Sequence, residues 1–176
     1  MALSHGLASL LGRPQVNGDV DQDWEEFERS VGMSLPEDYK EFISAYGPCC
    51  LNDNLLLFHP RGETGDQGLN LGEFLEDVAD VYECLKEEDP DEYPYLIYPE
   101  RGGFFPVGRT SSGNHLFLRP PQPDVESWGI VIHIGEWEFL DMSFTEFLSL
   151  GLSGELFVPL FDGEPTFEVV GSVVDS

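Results

Sequence analysis

The spacing of apolar residues changes near Tyr98, and this change constrains the fold more than any other feature of the sequence. Before Tyr98 most apolar residues recur at intervals of three and four, which is the spacing of one helix face. After it they alternate with polar residues, which is the spacing of a strand with one buried side. We therefore predict an α+β domain with an antiparallel, mostly meander sheet and helices packed on one face.

Residues 34–48, SLPEDYKEFISAYGP, predict a short helix with both ends marked. Ser34 and Glu37 have the spacing of a capping box, in which each side chain bonds a backbone N–H of the other. Gly47 and Pro48 end the helix, since proline cannot continue it. The apolar stripe has helical spacing and consists of Tyr39, Phe42, Ile43 and Tyr46.

Three further helices are predicted from apolar stripes and end signals. One begins near Asp23 and stops at Gly32, and Ser143 with Glu146 repeats the capping pattern before a short helix near the end. Asn70 caps the longest helix. Its stripe extends over four turns through Leu71, Phe74, Leu75, Val78, Tyr82 and Leu85.

The strands are predicted from alternation and from turn residues. Residues 55–58 form a buried strand, and residues 103–119 and 129–142 each form an antiparallel hairpin. A further edge hairpin is predicted across Asp162 and Gly163. No internal repeat is evident, so we predict an N-terminal arm or short helix with a linker over residues 1–18 and a single domain over residues 19–176.

The charge of the chain is strongly negative. The sequence holds 34 Asp and Glu against 8 Lys and Arg, a formal net charge of −26. Nucleic acids and anionic membranes would repel such a chain, so we predict no binding to either. A basic protein would be attracted, while a solvated surface that keeps the protein in solution is the simpler interpretation.

The densest acidic segment lies between Glu73 and Glu92, where ten carboxylates occur with one lysine. We predict that the part of this segment expected to be exposed binds a partner, and a solvent-facing spacer is the alternative. The predicted partner-binding residues are Asp80, Glu83, Glu87, Glu88, Asp89, Asp91 and Glu92, with Tyr93 and Tyr95 as aromatic anchors.

Recognisable catalytic patterns are missing. There is no P-loop, no G-x-S-x-G, no H-E-x-x-H and no C-x-x-C pair, so we predict no enzymatic activity, no catalytic residues and no cofactor. The acidic residues that start at Asp19 match the beginning of a calcium loop, but Trp24 stands where that loop needs glycine, and we predict no metal site. His115 and His133 fall on strands that could be neighbours, which leaves a shared site open.

The chain carries no recognisable signal peptide and no apolar stretch near the roughly 20 residues of a membrane span. Cys49, Cys50 and Cys84 are an odd set with two adjacent members, which favours buried free thiols over a disulfide framework. We therefore predict a cytoplasmic location.

The sequence resembles the SUKH superfamily, which contains the fungal Smi/Knr cell-wall regulators and many bacterial immunity proteins. The segment LPEDYKEFISAYGP carries most of the resemblance, together with WEEFERSVG before it and FFPVGRTSSGNHLFL and SFTEFLSLGL after it. The similarity extends from about Asp23 to Leu152. It departs from the usual pattern at Asn114, where an aspartate is common, and in the acidic insertion around residues 86–101.

The resemblance implies a non-enzymatic domain that binds and neutralises a polymorphic toxin, frequently a nuclease or a deaminase, in the cytoplasm of the producing bacterium. The alternative is a regulatory scaffold of the Smi/Knr type in signalling or envelope synthesis. The family's motif residues look structural, so no catalytic position is implied. The predicted partner is another protein with basic charge, and the chain itself is expected to be a monomer or a weak homodimer.

Overall fold

The structure, a computed structural model, describes residues 9, 11–12, 20–65, 69–156 and 166–169. Within these residues the helices are α1 (Val20–Val31), α2 (Glu37–Tyr46), α3 (Leu71–Glu88) and α4 (Phe144–Ser153). The strands are β1 (Cys49–Leu51), β2 (Leu55–Leu57), β3 (Phe105–Thr110), β4 (His115–Arg119), β5 (Gly129–His133), β6 (Trp137–Leu140) and β7 (Phe167–Val169).

The strands form one antiparallel sheet in the order β6-β5-β4-β3-β2-β1-β7. The predicted α+β class and meander are therefore confirmed, and the two hairpins are the pairs β3–β4 and β5–β6. The strand β1 was not predicted, because its three residues are too few to show alternation. The expected turn at Asp162 and Gly163 lies outside the described residues, but β7, which follows it, pairs with β1 at the sheet edge.

The helices cover both faces of the sheet, so the expectation that they pack on one face is wrong. Three of them, α1, α2 and α4, pack together: the ring of Tyr39 lies 5.3 Å from that of Trp24 and 5.0 Å from that of Phe144. The ring of Tyr82 on α3 instead lies 5.5 Å from that of Phe117. Phe117 and its neighbour Leu118, which lines a pocket with Phe144, point to opposite faces because successive strand residues alternate. The apolar stripe of α3 thus covers the second face.

Most helix ends follow the sequence signals, but α1 begins at Val20 and not near Asp23. The side chains of Asn70 and Ser143 cap α3 and α4 as predicted. The capping box at Ser34 is wrong: Pro36 is the N-cap of α2 and makes no side-chain cap. α2 ends before Gly47, where an added Cβ would lie 2.9 Å from the Ile43 carbonyl oxygen, so the close approach of the backbone requires glycine.

Two observations concern the expected compartment. No helix among the described residues is both long enough and apolar enough to cross a membrane. All three cysteines are free, with Cys49 buried and Cys50 half-buried, but Cys84 is exposed on the outer face of α3 rather than buried. A cytoplasmic location stays a prediction.

Candidate functional site

α3 separates its apolar residues from its acidic ones. The Asn70 side chain accepts a hydrogen bond from the Glu73 backbone N–H at 3.1 Å and fixes the start of the helix. Asp80, Glu83 and Glu87 follow at helical spacing on the outer face, and all seven carboxylates of the predicted set are exposed. The buried face consists of Leu71, Phe74, Leu75, Val78 and Tyr82.

The chain after α3 turns back over the sheet, so that its tyrosines meet β6. The ring of Tyr93 lies 5.4 Å from that of His133, and the ring of Tyr95 lies 5.1 Å from that of Trp137. The indole Nε1 of Trp137 donates to the Glu92 carbonyl oxygen at 2.9 Å. This hydrogen bond holds the returning chain against the sheet.

The outer face of α3, the returning chain and β6 enclose a cleft of about 440 Å³. This volume is within the roughly 300–1,000 Å³ of typical ligand pockets. We call it the aromatic cleft and define it by an acidic wall and an aromatic wall. These walls consist of Asp80, Glu83 and Glu87, and of Tyr93, Tyr95 and Trp137.

The aromatic cleft contains five of the nine predicted partner-binding residues. The four others, Glu88, Asp89, Asp91 and Glu92, are exposed but do not line it. Whether any of the nine binds a partner stays a prediction. Trp137 was not among the predicted binding residues, although the alternation of WEFL indicated a strand face that a partner surface could share.

The aromatic cleft favours a positively charged occupant. Glu100 adds a fourth carboxylate to its lining. Among the described lining residues the one cation is Lys86, whose ammonium donates to the Tyr95 carbonyl oxygen at 3.4 Å. Tryptophan and tyrosine faces attract cations through their ring electrons, by about 0.5–2 kcal/mol. The carboxylates and the aromatic faces thus both favour a cationic ligand.

Beneath the aromatic cleft, Tyr82 joins the two histidines that the sequence analysis left as a possible shared site. His115 and His133 are direct partners in the β4–β5 register. The Tyr82 hydroxyl lies 3.0 Å from Nδ1 of His115 and 3.2 Å from Nδ1 of His133. It can donate to one of them, so the other Nδ1 must carry a proton and donate to the hydroxyl. The two imidazoles are therefore held in opposite tautomers.

Burial keeps this layer uncharged at neutral pH. Burial and the neighbouring His133 lower the pKa of His115 to about 4, and burial also lowers the pKa of His133. Burial raises the pKa of Tyr82. Among the described residues no group of three or more side chains could hold a metal ion. The two histidines thus satisfy one another's polar groups through Tyr82 and support the floor of the cleft.

The segment that resembles a calcium loop has a different role. Asp23 is buried, and its Oδ1 accepts from Arg61 Nε at 2.7 Å while its Oδ2 accepts from the Ser44 hydroxyl at 2.7 Å. The Arg61 backbone N–H donates to His59 Nδ1 at 2.9 Å, which leaves the imidazole proton on Nε2, 3.5 Å from Asp23 Oδ2. These residues form the Asp23 cluster, which ties α1 to α2 and to the loop after β2.

Comparison with known proteins identifies one family. The sequence model of the SMI1 / KNR4 family (SUKH-1) matches residues 21–150, which is most of the chain. These limits agree with the stretch over which the resemblance was seen. Comparison with curated proteins and with solved structures found no significant match.

Proposed function

The chain belongs to the SMI1/KNR4 family (SUKH-1), and from that premise we propose that it is a non-enzymatic protein-binding module. Its role is that of an immunity protein, which binds a basic toxin such as a nuclease or a deaminase in the cytoplasm of the producing cell and blocks its activity. The family assignment supports a binding role, and the charge of the chain supports a basic partner.

The observation that carries this proposal is the meeting of exposed acids with half-buried aromatic rings in one cleft. Asp80, Glu83 and Glu87 are free to attract a cationic surface over a distance of about 8 Å at physiological salt. Tyr93 and Tyr95 are of the residue types that dominate binding energy at interfaces, because they bury large area with few rotatable bonds. Charge thus favours a fast encounter, and the rings favour a specific complex.

Binding to a basic surface should depend on salt. Oppositely charged surfaces associate at up to about 10⁸–10⁹ M⁻¹s⁻¹ at low ionic strength, and this rate falls as salt screens the charges. A partner held by aromatic contacts dissociates at a rate that salt changes less. We therefore expect salt to act mainly on the association rate.

The test is affinity capture from the native cell with the full chain as bait, followed by an activity assay of the captured protein. We expect capture of a basic protein that loses its activity when the chain is added. The triple variant Asp80→Asn, Glu83→Gln, Glu87→Gln should slow its association several-fold and flatten the salt dependence.

The matched control removes the same charge away from the aromatic cleft and from the predicted set, by Asp21→Asn, Glu26→Gln and Glu155→Gln, which are all exposed. Equal slowing by both triple variants would show that net charge acts and not the cleft. A captured protein that keeps its activity in the complex would favour the regulatory scaffold instead. Turnover of a small molecule by the pure chain, abolished by one substitution, would refute a non-enzymatic role.

A further inference from the structure

A second groove lies beside the aromatic cleft and is lined by exposed apolar side chains. Its volume is about 590 Å³. Among the described residues four large apolar side chains are exposed, and three of them, Leu96, Val125 and Phe139, line this groove. Tyr95 lines both the groove and the aromatic cleft, so the two surfaces are continuous. We call this second surface the apolar groove. Contiguous exposed apolar surface of this kind marks an interaction site.

The strand β6 lies between these two surfaces and leaves one edge open. It pairs with β5 on one side and ends the sheet, and no backbone of another described segment bonds to its outer edge. Trp137 and Phe139 are two residues apart, so their side chains project from the same face of the sheet. Trp137 lines the aromatic cleft, and Phe139 lines the apolar groove.

We propose that the basic partner docks an extended segment along β6 as an eighth strand. A cationic residue of that segment lies beside Trp137 in the aromatic cleft, and an apolar residue two positions away lies beside Phe139 in the apolar groove. This inference rests on the proposed function for the identity of the partner. In strand addition the backbone hydrogen bonds supply affinity, and pockets for alternate side chains supply specificity.

The charge of the chain argues for a basic partner over a second copy. An open edge can also pair with the same edge of another molecule. Pairing of β6 with itself would bring together two acidic walls, each with Asp80, Glu83 and Glu87, and two chains of net charge −26. Like charges brought together at an interface oppose association. A segment with Arg or Lys replaces this repulsion with attraction.

The test uses synthetic peptides of about seven residues, a common strand length, and the full chain. The probe has alternating threonine and valine with Arg and Leu two positions apart, made in both orders because the strand direction is not fixed in advance. One control separates Arg and Leu by three positions, which places them on opposite faces, and a second replaces Arg with the uncharged citrulline. We expect calorimetry to show the probe binding at least about tenfold more tightly than either control, a difference of about 1.4 kcal/mol.

N-methylation of the peptide distinguishes strand addition from any other mode. Only every second amide of an added strand donates to β6, so methylation should abolish binding at alternate positions and leave it nearly unchanged at the positions between them. A loss of affinity without this two-residue period would refute docking as a strand.

Protein variants locate the site. Phe139→Ser should weaken the probe at least about tenfold, whereas the matched control Val81→Ser, which removes an equally exposed apolar side chain from α3, should not. Equal affinity for both variants would refute the role of the apolar groove. Sedimentation of the chain alone that shows a dimer, lost in Phe139→Ser, would assign the edge of β6 to a second copy.

The outcomes separate this inference from the proposed function. If the peptides bind as expected but no captured protein loses activity, β6 is a docking edge and the immunity role is wrong. If a captured toxin is neutralised and depends on the acidic wall but not on Phe139, the immunity role is right and docking along β6 is wrong.

Discussion

The Asp23 cluster and the outer face of α3 place aspartate side chains in opposite environments. Asp23 is 2% exposed, and Arg61, Ser44 and His59 surround it. Asp80 on α3 is exposed, and no described cation pairs with it. A carboxylate is stable in the interior only when cations and hydrogen-bond donors replace water. With 8 Lys and Arg for 34 Asp and Glu, the chain can meet this requirement at few places, and the remaining acids must stay in water.

This difference shows how a strongly acidic chain can stabilise its core and still present a charged surface to a partner. The Asp23 cluster uses Arg61, one of the few arginines of the chain, to join α1, α2 and the loop after β2. The outer face of α3 keeps its charge unneutralised, so that an external cation is the natural partner. Stability should therefore depend on the first region, and partner binding on the second.

The largest effect on the free energy of unfolding is expected from a substitution that breaks the Asp23 cluster. Asp23→Asn removes a buried charge and weakens the hydrogen bonds that the carboxylate accepts from the Arg61 guanidinium. We expect a loss of about 3 kcal/mol in the free energy of unfolding, measured by urea titration. The exposed neighbour supplies the control, since Asp21→Asn should change stability by less than about 0.5 kcal/mol. Equal effects of the two substitutions on stability would contradict a stabilising role of the Asp23 cluster.

The next effect is a pH dependence in the layer beneath the aromatic cleft. The pKa of His115 is lowered to about 4 in the folded chain. As the pH falls below about 6.5, His115 therefore becomes protonated in the unfolded chain while it stays neutral in the folded chain. The stability that this group contributes is complete above about pH 6.5 and is lost as the pH falls towards 4. The stability advantage of the wild type over His115→Gln should thus shrink between about pH 6.5 and 5, by at most about 2 kcal/mol.

Urea titrations at several pH values measure this difference. The control is Asn114→Gln, which changes the preceding residue without a titrating group, and its curve should parallel that of the wild type. A His115→Gln curve that is also parallel would show that His115 titrates with its ordinary pKa.

A smaller effect concerns the hydroxyl between the two histidines. Tyr82→Phe leaves both Nδ1 atoms without their shared partner, and we expect a loss of about 1–2 kcal/mol in the free energy of unfolding. Tyr93→Phe removes a hydroxyl from a ring over the same site and should cost less, because that hydroxyl has no partner among the described residues. If Tyr93→Phe destabilises the protein as much as Tyr82→Phe, the shared hydrogen bond is not the cause.

The smallest effect on stability is expected from substitutions in the acidic wall. Changing Asp80, Glu83 and Glu87 to their amides should alter the free energy of unfolding by less than about 0.5 kcal/mol per site, since exposed charges contribute little. A thermal melt measures it, and a modest rise in melting temperature is consistent with relief of repulsion. A large destabilisation would give the acidic wall a structural role and remove the contrast with the Asp23 cluster.

Local patterns predicted much of the fold. The stripes of α2 and α3, the caps at Asn70 and Ser143 and both hairpins depend on residues within a few positions of each other, which the sequence displays directly. The capping box at Ser34 failed because Pro36 starts the helix, and local spacing cannot tell which of two compatible starts the rest of the fold allows. The placement of α3 on the second face also depends on distant contacts.

The sequence by itself determined the helix and strand faces, the family and the concentration of negative charge on one helix. Only the tertiary structure decided which distant groups meet: Glu92 with Trp137, Tyr82 with His115 and His133, and Asp23 with Arg61. Periodicity reports which side of an element is buried but not which element covers it. That choice depends on the packing of the whole chain, and it is this packing that turns an acidic helix into one wall of a cleft.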